Sequence, residues 1–151
     1  MQSINPIWLY PAILIAGALQ AWGPPMNSAL RHALQNQWLA SLVSFLPVVA
    51  LLACLLMCFP APLPNVKGLQ EMPWWAPLGG LVGAFAVVAG LLFVDTVGAG
   101  PFAGLTITAN ILMSLAIDRL GWFGMPTHEL SAGRIVGAML MVAGIALIAR
   151  F

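Results

Sequence analysis

The sequence predicts an all-α integral membrane protein, a bundle of five transmembrane helices, and three observations predict it. Of 151 residues, 62% are hydrophobic and only 6% charged, where an average soluble domain carries about 25% charged residues. The apolar residues gather in five runs, each near the roughly 20 residues a helix needs to cross hydrocarbon. The runs are continuously apolar, not alternating as in a membrane β-barrel. A soluble globule could not cover its surface with so few charges, which excludes a cytosolic enzyme, a nucleic-acid binder and a disordered tail. The net charge of +1 recruits no polyanion.

The spans are expected at 7–29, 38–59, 74–94, 101–117 and 132–149, a single domain over 1–151 with only short loops between them. The first has no Lys or Arg ahead of it, unlike a signal peptide, and reads as retained. It contains Gly23-Pro24-Pro25, which removes the N–H groups that would bond the carbonyls of Gln20 and Ala21. The second is followed by Pro60-Ala61-Pro62-Leu63-Pro64, which cannot be helical throughout. The third opens on Pro73-Trp74-Trp75, with two indoles at interface depth. The fourth ends at Gly121-Trp122-Phe123-Gly124, and Ser131 is the expected N-cap of the fifth. Trp8, Tyr10, Trp38 and Trp122 also fall near span ends, as an aromatic belt would.

With the N-terminus on one side, that side holds Lys67, Arg119 and Arg134, and the other holds Arg31 and Arg150. The positive-inside rule needs an excess, and three against two is almost none. The chain is therefore expected to insert both ways and pair as an antiparallel dimer, the associated equivalent of an inverted repeat. A weakly encoded fixed orientation is the alternative.

Polar groups inside a membrane are costly and mark candidate functional positions. Gln20 and Asn27 are seven residues apart in the first span, on one face of a continuous helix, with Trp22 and the hinge Gly23-Pro24-Pro25 between them. The second span offers Ser41 and Ser44. Thr106, Asn110 and Ser114 recur at i, i+4 and i+8 in the fourth, which also carries Thr108. A lone hydroxyl in such a helix more often bonds its own i−4 carbonyl. Substrate contact is expected at Gln20, Trp22, Asn27, Ser44, Thr106, Asn110 and Ser114, with a pathway between the first, second and fourth spans. None of Glu71, Asp95, Asp118 and Glu129 is at a span centre. Asp118 is the candidate for ion coupling, weighed against an interfacial role beside Arg119.

His32 and His128 fall in expected loops without a ligand cluster, so neither metal nor cofactor is expected. Cys54 and Cys58 lack a redox spacing, and no nucleophile or phosphate-loop motif supports an enzyme. Gly79-xxx-Gly83, Gly100-xxx-Gly104 and Gly133-xxx-Gly137 each offer a small-residue groove for close helix packing. Gly133, Gly137 and Gly144 make the fifth span a packing or dimerisation helix.

The run Pro73-Trp74-Trp75-Ala76-x-Leu78-Gly79-Gly80-x-x-Gly83 resembles the third-helix signature of the YdcZ-type inner-membrane exporter family. So do Val97-Gly98-Ala99, Asp118-x-x-Gly121 and Ser131-x-x-Arg134-x-x-Gly137, while Gln20, Asn27 and Ser44-Phe45 match family positions. The resemblance covers nearly the whole chain. It implies one half of a drug/metabolite-transporter-like assembly in the bacterial inner membrane, multi-pass, formed as an antiparallel homodimer or with a homologous five-helix partner chain. The expected function is a secondary transporter exporting a small molecule by alternating access. The alternatives are a small dual-topology ion channel and one subunit of a heteromeric pair. The four-helix multidrug members of the superfamily carry a carboxylate in mid-first-helix that this chain lacks, so their proton antiport does not transfer.

Overall fold

The computed structural model describes residues 6–59 and 66–151. The described residues are helical, with no strand among them. The expected Pro60–Pro64 loop lies outside them. Four helical segments are long and apolar enough to cross a membrane: Gln37–Cys58, Ala76–Val97, Ala99–Leu120 and Ala132–Arg150. These match the second to fifth expected spans. The chain divides into two compact units, Met1–Asp95 and Thr96–Phe151.

The first expected span, over 7–29 with a hinge at Gly23-Pro24-Pro25, is two shorter helices, α1 (Pro6–Gln20) and α2 (Gly23–Leu34). The ladder tightens at the break, where the Ala21 and Trp22 N–H groups reach back only three residues, to Ala18 and Leu19. It resumes when Met26 N–H donates to the Trp22 carbonyl. Pro24 and Pro25 thus lie in the first turn of α2, where a missing N–H is harmless. A pair of prolines is tolerated by starting a new helix.

Two residues join α2 to α3 (Gln37–Cys58). Gln35 takes the left-handed conformation, φ 50°, and its N–H donates to the Arg31 carbonyl at 2.8 Å. The Asn36 side chain accepts from the N–H groups of Trp38 and Leu39, both at 3.0 Å, and so caps α3. Arg31 and His32 are in the last turn of α2, facing its negative dipole end. His32 is therefore helical, not in a loop as expected. At 22 residues α3 is about 33 Å long, enough to cross hydrocarbon.

A short helix, α4 (Val66–Gln70), precedes a 3-10 turn at Ala76–Leu78 that leads into α5 (Gly79–Val97). Trp74 and Trp75 stand before this entry. In the first unit the buried residues are small or lie near the end of α5: Ser28 on α2, Ala40 and Ser41 on α3, and Leu91 and Val94 on α5.

Gly98 alone separates α5 from α6 (Ala99–Leu120), with φ 87°, a region that favours glycine. Gly121, φ 65°, ends α6 where the sequence places the end. Ser131 caps α7 (Ala132–Arg150), as expected, by accepting from Arg134 N–H. Helices α6 and α7 pack together. They approach closely at Gly104, where an added Cβ would collide with Ile145 Cδ1.

The expected glycine grooves differ in what they meet within one chain. Among the described residues, nothing lies within 4 Å of a Cβ built at Gly79, Gly83, Gly100, Gly137 or Gly144, and Gly133 meets only Ser131 Oγ at 3.9 Å. Of the glycines in these motifs, Gly104 alone makes a close helix contact within one chain.

Gly104→Val should push the added methyls into Ile145 and lower stability by about 1–3 kcal/mol. Thermal unfolding in detergent reads this loss, and adding Ile145→Ala should recover at least half of it.

Candidate functional site

The first unit places its polar side chains around α2. Gln20 ends α1 and is exposed, and Trp22 in the break is 65% exposed. Prolines at positions 24 and 25 have no N–H to offer the carbonyls of Gln20 and Ala21. The break therefore leaves a short run of backbone acceptors beside an exposed amide side chain and an indole. Non-helical backbone at membrane depth is tolerated where it faces protein or water.

Four residues beyond the break, Asn27 is half-buried and meets α3. Ser44 Oγ donates to Asn27 Oδ1 at 2.7 Å. This joins two of the expected substrate-contact residues across a helix pair. Gln20 is not brought to them: the break puts it on a different helix from Asn27, so the expected common face is corrected. Ser41, by contrast, bonds its own helix through the Gln37 carbonyl, at 2.9 Å.

Next to Asn27, α2 carries a cluster that no sequence motif announces. Ser28, Arg31 and His32, at i, i+3 and i+4, share a helix face. All three meet Asp95 in the last turns of α5. Ser28 Oγ donates to Asp95 Oδ1. Arg31 Nη2 donates to Asp95 Oδ2 at 2.7 Å, and His32 Nε2 meets the same oxygen at 2.8 Å. These contacts put the C-terminal ends of α2 and α5 together. Leu91, one turn before Asp95 on the same face of α5, is fully buried, and Val94 is nearly so. Beside the cluster is a polar cleft of about 340 Å³ lined by Arg31, His32, Gln35 and Gln37. The i, i+3, i+4 spacing on α2 was legible in the sequence, but its partner lies 63 to 67 residues away.

In the second unit, Thr106 Oγ1 donates to the carbonyls of Phe102 and Ala103, at 3.0 and 2.9 Å. This is the local back-bonding expected of a lone hydroxyl. Thr106, Asn110 and Ser114 are all exposed, and the buried hydroxyl of this helix is Thr108. The stripe is thus open along α6. A cleft of about 580 Å³ in this unit is apolar and does not include the stripe; Leu112, Leu115, Ile135, Met139 and Val142 line it. Asp118 is not left to Arg119. Its carboxylate faces Arg134 Nη1 at 3.5 Å, and its carbonyl accepts from His128 N–H at 2.8 Å. Any ion coupling there would compete with Arg134.

Among the described residues no group of three His, Cys, Asp or Glu side chains could hold a metal. Cys54 and Cys58 are both free and exposed.

The family model described as "Putative inner membrane exporter, YdcZ" matches residues 8–147. No curated protein and no solved structure matches the chain.

Ser44→Ala should leave Asn27 Oδ1 without its donor and lower stability by about 0.6–1.7 kcal/mol, the range of interhelical hydrogen bonds in membranes. Ser41→Ala removes only a bond within its own helix and should cost less than Ser44→Ala. Thermal unfolding of both variants in one detergent checks the contrast.

Proposed function

The chain belongs to the YdcZ inner membrane exporter family, as a multi-pass protein of the inner membrane, and from that premise we propose that it is a secondary transporter exporting a small molecule by alternating access. The observation that carries the reading is the interrupted first segment. A helix broken at Ala21–Trp22 exposes carbonyls and an amide, and the next turn ties Asn27 to Ser44 of α3. Interrupted helices are how transporters place backbone and amide groups at a substrate site within the bilayer. Gln20, Trp22, Asn27 and Ser44 are the assigned cargo contacts in the first unit, and Gly23, Pro24 and Pro25 the hinge.

A second chain completes the transporter in this reading. Two features support it. Between 6% and 17% of each candidate span window is buried inside the chain, so most of the helix surface is free for lipid or protein. Thr106, Asn110 and Ser114 are open along α6, and amide and hydroxyl groups in hydrocarbon need polar neighbours or water. An antiparallel copy, or a homologous partner of opposite orientation, would cover them. The near-even Lys and Arg tally fits dual insertion. Gly133, Gly137 and Gly144 on the open face of α7 would then pack against the partner.

Efflux tests the transport reading. Proteoliposomes loaded with a uniformly labelled bacterial metabolite mixture should release at least one compound faster than protein-free vesicles, with a rate that saturates. Gln20→Ala and Asn27→Leu should each cut that release at least tenfold while the protein stays folded in the membrane. Release no faster than from empty vesicles, or unchanged in both variants, would refute the reading. Reporters fused to the C-terminus and active on opposite sides should give comparable signals if one chain inserts both ways. A one-sided signal would assign a separate partner chain.

A further inference from the structure

The polar cleft at the corner of α2 and α3 is lined by the donors of Arg31 and His32 and by two side-chain amides, which both donate and accept. Arg31 offers five N–H groups and no acceptor, and His32 offers a ring N–H. The amides of Gln35 and Gln37 close the cleft. Both side chains remain accessible, 25% exposed for Arg31 and 67% for His32. Gln37 opens α3 next to Trp38, which is 66% exposed, and an exposed indole at a span end marks the membrane–water boundary. The cleft therefore opens where soluble molecules and lipid headgroups both reach.

The chain supplies its own occupant for these donors. Asp95 Oδ2 accepts from Arg31 and His32 together, at 2.7 and 2.8 Å. Its other oxygen is held separately by Ser28. A planar guanidinium and an imidazole converging on one carboxylate oxygen is the arrangement that recognises an oxyanion. We propose that this cleft binds a small oxyanion group, a carboxylate or a phosphate, and that Asp95 is the resident carboxylate such a ligand displaces. The ligand takes the Arg31 and His32 donors, and Asp95 keeps its bond from Ser28.

Asp95 is tethered, so its effective concentration at the donors is high, in the millimolar range or above. A free anion must compete with it and binds the unmodified chain weakly. Removing the charge of Asp95 without removing its shape should reveal the site. The proposal stands apart from the transport reading, because its test is binding and not flux.

The probe is inorganic phosphate, titrated calorimetrically against the full chain in phosphatidylcholine nanodiscs. Asp95→Asn, whose amide oxygen can still accept from Ser28, should bind phosphate at least tenfold more tightly than the unsubstituted chain. Adding Arg31→Gln should abolish the gain. A second arm uses nanodiscs containing phosphatidylglycerol without added phosphate, with retained lipid read by native mass spectrometry. Tighter phosphate binding in neutral nanodiscs assigns the site to soluble anions. Greater phosphatidylglycerol retention by Asp95→Asn, lost with Arg31→Gln, assigns it to a headgroup. If neither ligand binds Asp95→Asn more tightly, or if a gain survives Arg31→Gln, the proposal falls.

The unsubstituted chain gives an independent reading should Asp95→Asn fail to fold. Its ¹⁵N-histidine spectrum has two rings to assign, His32 and His128, and His32→Gln identifies the first. Phosphate at high concentration or phosphatidylglycerol should shift the His32 ring signal, while equal chloride or phosphatidylcholine should not. No shift with either ligand overturns the proposal.

Discussion

A backbone carbonyl in hydrocarbon has no water to bond, and this constraint shapes the first unit. Pro24 and Pro25 deny helical partners to two successive carbonyls. The chain responds with a break and a fresh start, so α2 begins with its prolines in the one turn that tolerates them. Helix α2 is also the most polar long helix of the unit. From it Asn27 receives a bond from α3, and Ser28, Arg31 and His32 converge on α5. The break and the polar cluster thus meet on one helix, whose polar side chains are partnered from α3 and α5.

Outside α2 the packing is sparse. The fully or nearly buried apolar residues are Ala40, Leu91, Val94, Ala138 and Ile145. Lipid tails are as apolar as leucine, so burial gives helices little reason to associate in a bilayer. Close contact and hydrogen bonds decide instead, and the structure uses both. Gly104 admits Ile145 of α7 in the second unit, while the first relies on Ala40 and the serines. The acid–base pairs Arg31–Asp95 and Arg134–Asp118 serve as clasps at helix ends.

Legibility followed the range of each cause. Ser131, Gly121 and the ends of the later spans were readable because capping is set by the residue itself and its neighbours in sequence. The disruption near Pro24 was readable too: Pro24 and Pro25 withhold N–H groups from the carbonyls of Gln20 and Ala21, and the ladder yields at Ala21–Trp22. The glycine motifs were readable as spacing but not as contacts. Gly79, Gly133 and Gly137 have the spacing for close packing, yet among the described residues Gly104 is the motif glycine that meets a neighbouring helix within the chain, and which face of a uniformly apolar helix turns inward is not written in its hydropathy. Asp95 went unassigned because its three donors are on a helix more than sixty residues earlier. Within the candidate site, Ser44 was flagged as a residue type in a span, while its pairing with Asn27 needed the fold.

The bareness of these helices also governs how the chain must be made. Leucines, valines and phenylalanines lie uncovered along α3, α5 and α7, and in water such surfaces find one another faster than they find their proper place. A finished chain released into the aqueous phase would clump before it could be rescued. Delivery to the bilayer has to keep these faces from water, and the two-residue corner at Gln35–Asn36 leaves α2 and α3 almost no slack, so the two must enter as a pair.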